Sequence, residues 1–381
     1  MRIFISAGEP SGDLHGANLI QSLHRAYPGI ECVGFGGDRM TAAGCRLLYP
    51  LCQLAMMWIL RVFLNVHIFL DLLSKADRYF KHHRPDAVIL IDYPGFHWWL
   101  ARRAHFHGIP VYYFVPPQLW GWAGWRVKKM RRFVDHVLCA LPFEEAWYRE
   151  RGVAAHYVGH PYFDELADQR LDAEFIARQQ NRPEKIVAIL PGSRNQEVHY
   201  NLATLVRAAA RVHAARPDVR FLIASYKEAQ REETAAYVRD KGLPIEVHVG
   251  RTPEIIHLAH SCLAVSGSVS LELLYQLKPS TIIYRVDPID LRLSAYLRTS
   301  RFITLVNLLA EEELYPEFLT DRCEAEGMSG HILRWLNEPE QYEAVRKRLM
   351  EVRDQVAEPG ACDRAARFVL AALAAKAKAA A

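Results

Sequence analysis

Short apolar runs alternate with longer amphipathic stretches along the first half of the chain. The runs predict strands because each is short, apolar and bounded by turn residues. They are Arg2–Ser6, Glu31–Phe35, Ala87–Ile91, Val111–Val115, His136–Ala140 and His156–Val158. Helical spacing lies between them, as at Gly16–Tyr27. Apolar strands separated by helices are typical of a parallel sheet that is covered on both faces.

The same pattern restarts in the second half, after a polar, helix-forming linker at Asp164–Pro183. A helix is predicted over Leu202–Ala215, and strands are predicted at Lys185–Leu190, Phe221–Ser225, Glu246–Val249, Cys262–Ser266 and Ser280–Arg285. We therefore expect an α/β protein with two doubly wound, Rossmann-like domains facing a cleft. The expected domains are 1–165 and 166–340, and charged helices over 341–381 are expected to pack back toward the N-terminal domain.

Composition narrows the class of protein without naming it. A length of 381 residues exceeds what a single core normally supports, and 51% hydrophobic residues exclude wholesale disorder. The net charge of +4 is too small to indicate a nucleic-acid partner. Seven scattered cysteines without a CxxC pair favour a reducing compartment over a disulfide framework or a zinc site. Neither a signal peptide nor a membrane-spanning segment is predicted.

Two motifs of the first half directly follow predicted parallel strands, and ligands bind at this end of such strands. Gly8–Asp13 (GEPSGD) follows the first strand and leads into a helix, whose N–H groups could bind an anion. Its alternative interpretation is an ordinary turn with Ser11 or Asp13 as the helix N-cap. Asp92 follows the strand Ala87–Ile91 and could accept a proton from a substrate hydroxyl. Alternatively it caps the turn that follows.

Two motifs of the second half suit a nucleotide diphosphate. Leu190–Arg194 (LPGSR) is a strand, a tight turn and an arginine, whose planar guanidinium matches diphosphate oxygens. In Ser266–Glu272 (SGSVSLE), a Gly/Ser turn opens a helix, and Glu272 could accept ribose hydroxyls. The alternatives are a surface arginine after a turn and a solvated glutamate on a helix.

Two further stretches could form surfaces. Tryptophans and basic residues interleave over Trp120–Arg132, which suits a membrane interface, single-stranded nucleic acid or ordinary packing with a solvated basic face. The apolar helix candidate Ala55–Leu73 would bind acyl chains or a bilayer if exposed, and otherwise would pack on the sheet.

The order of these motifs resembles the lipid-A-disaccharide synthase family, glycosyltransferase family 19, which has the GT-B fold. The resemblance rests on collinear motifs over nearly the whole chain: Gly8–Ala17 (GEPSGDLHGA), Gly34–Met40 (GFGGDRM), Ile91–Phe96 (IDYPGF), Leu119–Lys129 (LWGWAGWRVKK), Leu141–Glu144 (LPFE), Val158–Pro161 (VGHP), Leu190–Val198 (LPGSRNQEV), Ser266–Glu272, Tyr284–Val286 (YRV) and Val306–Ala310 (VNLLA). Each motif is weak alone, but the set is highly specific.

The resemblance implies an inverting transfer from UDP-2,3-diacylglucosamine to 2,3-diacylglucosamine 1-phosphate (lipid X), which gives a β-1,6-linked disaccharide and UDP. Asp92 matches the family's proposed base, and Arg194 matches the arginine near the UDP diphosphate. The UDP-sugar is a substrate, and no cofactor or metal is expected. The residues implied at the UDP-sugar site are Ser11, Gly12, Gly192, Ser193, Arg194, Ser266, Gly267, Ser268, Glu272, Tyr284, Arg285 and Asn307.

The family also implies a cytoplasmic protein, peripheral on the inner membrane, and a homodimer. The residues implied to face the membrane or acyl chains are Met56, Met57, Trp58, Leu60, Val62, Phe63, Ile68, Phe69 and Leu72. Trp58, Arg61 and Pro116 depart from the family pattern and affect the expected acceptor and membrane surfaces more than the UDP site. Two alternatives remain, a UDP-sugar epimerase of the same fold and a non-catalytic UDP- or lipid-binding relative.

Overall fold

The structure, a computed structural model, describes residues 1–55, 66–288, 291–292, 298 and 300–380. The chain divides into two compact units. Unit 1 comprises Met1–Ala167 with Val356–Ala381, and unit 2 comprises Asp168–Gln355. The C-terminal helices are therefore divided between the units, whereas the sequence predicted that all of 341–381 would pack toward the N-terminal domain.

Unit 1 contains a parallel sheet of seven strands in the order β3-β2-β1-β4-β5-β6-β7. The strands are β1 Arg2–Ala7, β2 Glu31–Phe35, β3 Arg46–Tyr49, β4 Ala87–Ile91, β5 Val111–Phe114, β6 His136–Cys139 and β7 Ala155–Tyr157. The helices are α1 Pro10–Ala26, α2 Asp38–Ala42, α3 Leu51–Ala55, α4 Val66–His83, α5 Pro94–Phe106, α6 Val127–Phe133, α7 Pro142–Arg149, α8 Tyr162–Asp168 and, from the C-terminal segment, α17 Ala361–Ala380.

Helices cover both faces of this sheet because its strands are apolar on both sides. Phe4 of β1 joins a core with α4, α5, α6 and α7, and its neighbours Ile3 and Ile5 join a second core with α1, α2 and α17. Asp164 fixes the start of α17 by accepting three backbone N–H groups of residues 360–362. The last helix is thus an integral part of unit 1.

Unit 2 contains a parallel sheet of six strands in the order β10-β9-β8-β11-β12-β13. The strands are β8 Lys185–Leu190, β9 Val219–Ser225, β10 Ile245–Val249, β11 Ser261–Val265, β12 Ser280–Arg285 and β13 Glu317–Thr320. The helices are α9 Ala173–Gln180, α10 Asn195–Ala215, α11 Glu228–Val238, α12 Thr252–Leu258, α13 Val269–Tyr275, α14 Leu305–Ala310, α15 Ala325–Asn337 and α16 Pro339–Val356. Helices α10 and α15 pack together over one face of the sheet.

The central strands lie where the apolar runs predicted them, and the main differences concern edges and helix starts. The two strands that the sequence did not predict, β3 and β13, are edge strands. Two helices begin earlier than predicted, at Pro10 and Asn195 rather than at Gly16 and Leu202. All seven cysteines are free, and only Cys323 is exposed.

Candidate active site

Each sheet carries its predicted motifs at the point where strand order reverses. In unit 1 the reversal lies between β1 and β4, and in unit 2 it lies between β8 and β11. Ligands of open α/β sheets bind outside the carboxyl ends of the strands at this point. We call the residues after β1 and β4, Gly8–Gly12 and Asp92–Phe96, half-site 1. The residues after β8 and β11, Gly192–Arg194 and Ser266–Glu272, are half-site 2.

The two segments of half-site 1 are in direct contact. A Cβ on Gly8 would lie 2.2 Å from the Tyr93 ring, and one on Gly12 would lie 3.6 Å from the carbonyl oxygen of Ile91. Ser11 is exposed and Gly12 is buried. Both lie in the first turn of α1 rather than in a loop, because Pro10 is well suited to the first position of a helix.

The acidic residues of the GEPSGD motif have separate surroundings. The alternative in which Ser11 or Asp13 caps α1 is wrong, since the N-cap is Glu9 and no side chain caps this helix end. Asp13 instead accepts the backbone N–H groups of Gly37, Arg39 and Met40 at 2.8–3.1 Å. Its carboxylate, 5% exposed, therefore caps the start of α2.

Asp92 is held in a strained backbone conformation. Asp92 and Tyr93 have φ of 50° and 49°, a left-handed conformation that costs about 1–3 kcal/mol per residue. The carbonyl oxygen of Asp92 accepts two short hydrogen bonds, from Tyr113 Oη and His97 Nδ1, both at 2.6 Å. These two buried side chains hold the backbone of Asp92 in place, and the backbone in turn fixes where its carboxylate begins.

The protonation state of His97 follows from its partners. A carbonyl oxygen can only accept, so Nδ1 carries the proton. The other nitrogen, Nε2, lies 2.9 Å from Ser6 Oγ and accepts from it. Burial lowers the pKa of His97 to about 4, which keeps the ring neutral and the arrangement intact near neutral pH.

The tryptophan loop, Val115–Arg126, follows β5, which is the parallel neighbour of β4, so it leaves the same edge of the sheet as half-site 1. It contains two more left-handed residues, Val115 and Ala123, with φ of 51° and 56°. Helix α7 anchors it twice, since Tyr148 Oη donates to the carbonyl of Pro117 at 3.1 Å and Trp120 Nε1 donates to Glu144 Oε1 at 2.9 Å.

Glu144 is the central residue of this anchor. It is 1% exposed, and its second oxygen accepts the N–H groups of Ala140 and Leu141. Burial raises its pKa to about 7, whereas three N–H donors fill both oxygens and favour the ionised form. The carboxyl is thus poised to change its protonation near neutral pH, and protonation would leave one donor without an acceptor.

In half-site 2, Arg194 stands at the start of the long helix α10. Gly192 has φ of +107°, which favours glycine, and it turns the chain so that Arg194 becomes the N-cap. Glu197 accepts the N–H groups of Ser193 and Arg194 at 3.0 and 3.1 Å, and its other oxygen lies 3.2 Å from Arg194 Nη1. The Arg194 side chain is 71% exposed, so it can meet an incoming anion.

Gln230 is a supporting residue that the sequence did not reveal. It is 3% exposed, and its Nε2 donates to the Ser193 carbonyl at 3.1 Å and to Asn195 Oδ1 at 2.8 Å. Its Oε1 accepts from the Tyr226 backbone N–H at 3.3 Å. Gln230 therefore joins the ends of β8 and β9. In the sequence it is surrounded by charged helix residues, which is typical of an exposed position.

The Ser266–Glu272 turn leaves room for a ligand above its glycine. Ser266 is half-buried, Gly267 and Ser268 are exposed, and Glu272 is 4% exposed on α13. A Cβ on Gly267 would meet no atom within 4 Å. Packing within the chain therefore does not require glycine here, which supports close approach of a ligand to the backbone.

The remaining predicted UDP-sugar residues lie along β12 and α14. Tyr284 is 40% exposed, and Arg285 Nη1 donates to the Tyr200 carbonyl at 3.3 Å. Asn307 is fully buried, with Nδ2 bound to the Tyr315 carbonyl and to Glu317 Oε2 and with Oδ1 accepting from Tyr315 N–H. This geometry gives Asn307 a positioning role for its segment and leaves a direct contact with UDP as a prediction.

The predicted acyl-chain residues have three different outcomes. Met56, Met57, Trp58, Leu60, Val62 and Phe63 lie outside the described residues. Leu72 is 1% exposed and belongs to the core between α4 and the sheet, so its assignment to lipid is wrong. Ile68 and Phe69 are half-buried and pack on the same core. The apolar side chains of α4 that remain exposed are Val66 and Leu70, at 46% and 59%.

Two findings on the described ranges concern metals and membranes. No group of three or more His, Cys, Asp or Glu side chains there is placed to hold a metal ion. Within the same part of the chain, no helix is both long and apolar enough to cross a membrane.

Comparison with known proteins found one family and relatives that match nearly the whole chain. The sequence model of the lipid-A-disaccharide synthetase family matches residues 3–372. The lipid-A-disaccharide synthase of Trichlorobacter lovleyi is 33% identical over 371 residues, which cover 97% of each chain. That of Myxococcus xanthus is also 33% identical, with the same coverage.

Solved structures of other sequence families share the fold. A putative UDP-N-acetylglucosamine 2-epimerase from Listeria monocytogenes matches with a TM-score of 0.67 at 12% identity, over 98% of this chain and 95% of that one. The calicheamicin glycosyltransferase CalG4 matches with a TM-score of 0.62 at 14% identity, over 99% of both. At this identity the likeness shows the GT-B type of α/β fold and nothing about activity.

Proposed function

The chain belongs to the lipid-A-disaccharide synthetase family, and we propose that it is an inverting glycosyltransferase that joins UDP-2,3-diacylglucosamine to 2,3-diacylglucosamine 1-phosphate. The observation that carries this proposal is the match over residues 3–372, which includes both half-sites. The products are the β-1,6-linked disaccharide 1-phosphate and UDP.

Asp92 is the base of the proposed reaction. As the acceptor 6-hydroxyl oxygen attacks C1 of the donor sugar, the Asp92 carboxylate takes the hydroxyl proton. The C1–O bond to UDP breaks, and the bonding pair leaves with the diphosphate. The bonds from Tyr113 and His97 to the Asp92 carbonyl support this role, because they fix the backbone that carries the base.

Arg194 is the cation that stabilises the leaving UDP in the proposed reaction. Negative charge grows on the diphosphate as the C1–O bond breaks, and an exposed guanidinium at the start of α10 can bind two of its oxygens. We expect turnover without a metal ion, since Arg194 supplies the positive charge. Turnover that is unchanged by a chelator supports this expectation, and loss of turnover that Mg²⁺ restores contradicts it.

The acyl chains of both substrates place the reaction at a membrane surface. We infer a cytoplasmic protein that is peripheral on the inner membrane, because the substrates are amphipathic. The homodimer implied by the resemblance stays a prediction that light scattering of the purified chain tests.

The test of the proposed activity is direct. The purified chain is incubated with UDP-2,3-diacylglucosamine and 2,3-diacylglucosamine 1-phosphate in detergent micelles, and the disaccharide and UDP are measured by mass spectrometry. Formation of both products that requires both substrates is expected. Release of an epimerised UDP-sugar from UDP-N-acetylglucosamine alone would instead favour the epimerase alternative.

A further inference from the structure

The segment between Asp92 and Asp135 has an unusual charge distribution. Residues 94–134 contain seven Lys and Arg side chains and no Asp or Glu. The whole chain has a net charge of +4, so the rest of the chain is net negative. The excess of positive charge is therefore concentrated in α5, the tryptophan loop and α6, where it can attract an anionic partner.

A solvent-open pocket lies between helices α5 and α6 of this segment. The pocket has a volume of about 400 Å³ and is lined by four cationic side chains and one aromatic ring: Arg102, Lys128, Lys129, Arg132 and Phe133. Lys129 Nζ lies 5.9 Å from the Trp98 ring centroid, and the Arg132 guanidinium lies 5.2 Å from that of Phe133. Two of the four cations therefore lie against aromatic rings, which favour the position of a positive charge.

These four cations lack acidic partners in the described part of the chain. Arg103, next to Arg102, has Asp77 at 3.9 Å. By contrast, no described carboxylate forms an ion pair with any of the four. Because like charges repel, an anion that enters a pocket lined by four cations would relieve their mutual repulsion.

Exposed aromatic side chains lie on α5, which also carries Arg102, and in the tryptophan loop that leads into α6. They are Trp99 and Phe106 on α5, at 55% and 78% exposed, and Trp122 and Trp125 in the tryptophan loop, at 57% and 65%. Val66 and Leu70 of α4 lie in the same helical layer. The opposite layer of α1, α2 and α17 exposes only one large apolar side chain among its described residues and the segments next to them, Tyr27.

We propose that the pocket of Arg102, Lys128, Lys129 and Arg132 binds the phosphate of an anionic phospholipid headgroup, with the exposed tryptophans lying in the bilayer interface beside it. This inference rests on the proposed action at a membrane surface. Tryptophan rings favour the headgroup level of a bilayer, and basic residues are attracted to its negative surface potential. The two features suit one occupant, a bilayer that contains anionic lipid.

The phosphate of the acceptor substrate has the same chemistry, so the experiment must separate it from a bilayer phosphate. Vesicle binding is measured by flotation for the full chain, with vesicles of phosphatidylcholine alone or mixed with phosphatidylglycerol. The variant Lys128→Gln/Lys129→Gln is compared with Lys376→Gln/Lys378→Gln. The control removes the same two charges from exposed positions of α17 on the other face of the sheet.

The wild type and the control should bind vesicles that contain phosphatidylglycerol, and should bind more weakly as salt is raised. Loss of two charges from the pocket should lower the partition coefficient by about 30-fold. Equal losses in both variants, or no loss in the pocket variant, overturn the proposal. The proposal is also overturned if the wild type binds vesicles equally well with and without phosphatidylglycerol.

Kinetics in detergent micelles distinguish the two phosphate sources. The KM for 2,3-diacylglucosamine 1-phosphate should be the same in the pocket variant and the wild type. A KM that rises at least tenfold would assign the pocket to the acceptor phosphate and overturn the proposal. Vesicle binding that follows the prediction in a chain without turnover would overturn the proposed reaction and leave the pocket assignment standing.

Discussion

The two half-sites occupy equivalent positions on their sheets but are built differently. Half-site 1 places Asp92 and Tyr93 in strained, left-handed backbone, held by buried side chains behind it. In half-site 2 the residue with positive φ is a glycine, and Arg194 extends into solvent. A base must be held within a fraction of an ångström of one proton, whereas a cation that neutralises a diphosphate acts over a broader region.

The largest effect is expected from replacing the carboxylate of half-site 1. Asp92→Asn keeps the shape and the strained backbone but cannot take a proton, so kcat should fall by about 10²–10⁴-fold. The control Asp135→Asn changes a carboxylate at the other end of the sheet, where it accepts the Val111 N–H at 2.8 Å. It should lower the melting temperature and leave kcat unchanged. A folded Asp92→Asn chain with the wild-type rate would remove Asp92 from the chemistry.

Removal of the cation of half-site 2 should have the next largest effect. Arg194→Gln should lower kcat by about 10²–10³-fold and weaken inhibition by UDP, because the diphosphate loses its charged partner. Arg194→Lys should recover part of the loss, since it restores the charge without the bidentate geometry. Arg211→Gln, near the other end of α10, is the control. If UDP inhibits Arg194→Gln as strongly as the wild type, Arg194 does not bind the diphosphate.

A smaller effect is expected from removing a hydrogen bond to the backbone of Asp92. Tyr113→Phe removes one of the two donors to the Asp92 carbonyl, so kcat should fall about tenfold while KM stays unchanged. Tyr342→Phe removes a similar bond, to the His260 carbonyl at 3.2 Å in unit 2, and controls for the loss of a tyrosine hydroxyl. Equal kcat in both variants would mean that the bond only stabilises the fold.

The sequence predicted the motif loops better than their supports. Buried central strands such as Ala87–Ile91 are recognisable because both faces are apolar, whereas β3 and β13 are short, half-buried edges without such a run. The supporting roles of Gln230 and Glu144 were missed, because the bonds of Gln230 to Ser193 and Asn195 and of Glu144 to Trp120 join separate segments, which no local pattern records. Leu72 was misassigned because an apolar helix face is the same sequence whether it packs on a sheet or on lipid.

The open glycine of half-site 2 provides a finer test of ligand approach. Gly267→Ala adds a methyl group where the chain itself has room. The free energy of unfolding should stay equal or rise by about 0.4–1 kcal/mol, since alanine restricts the unfolded chain. The KM for the UDP-sugar should nevertheless rise about fivefold if the donor lies against this backbone. Gly330→Ala, at another open glycine of unit 2, is the control. An unchanged KM would place the donor elsewhere.

The last prediction concerns stability rather than turnover, at Glu144, which anchors the tryptophan loop through Trp120. Folding raises the pKa of this carboxyl from 4.5 to about 7, so between these values the folded chain binds the proton more tightly than the unfolded chain. The stabilising contribution of Glu144 is therefore full below pH 4.5 and is lost as pH rises through about 7. From pH 5 to pH 8, the melting temperature of the wild type should fall by about 5 °C relative to Glu144→Gln. The control Glu145→Gln should keep the wild-type profile, and a difference between wild type and Glu144→Gln that does not vary with pH would contradict the assignment.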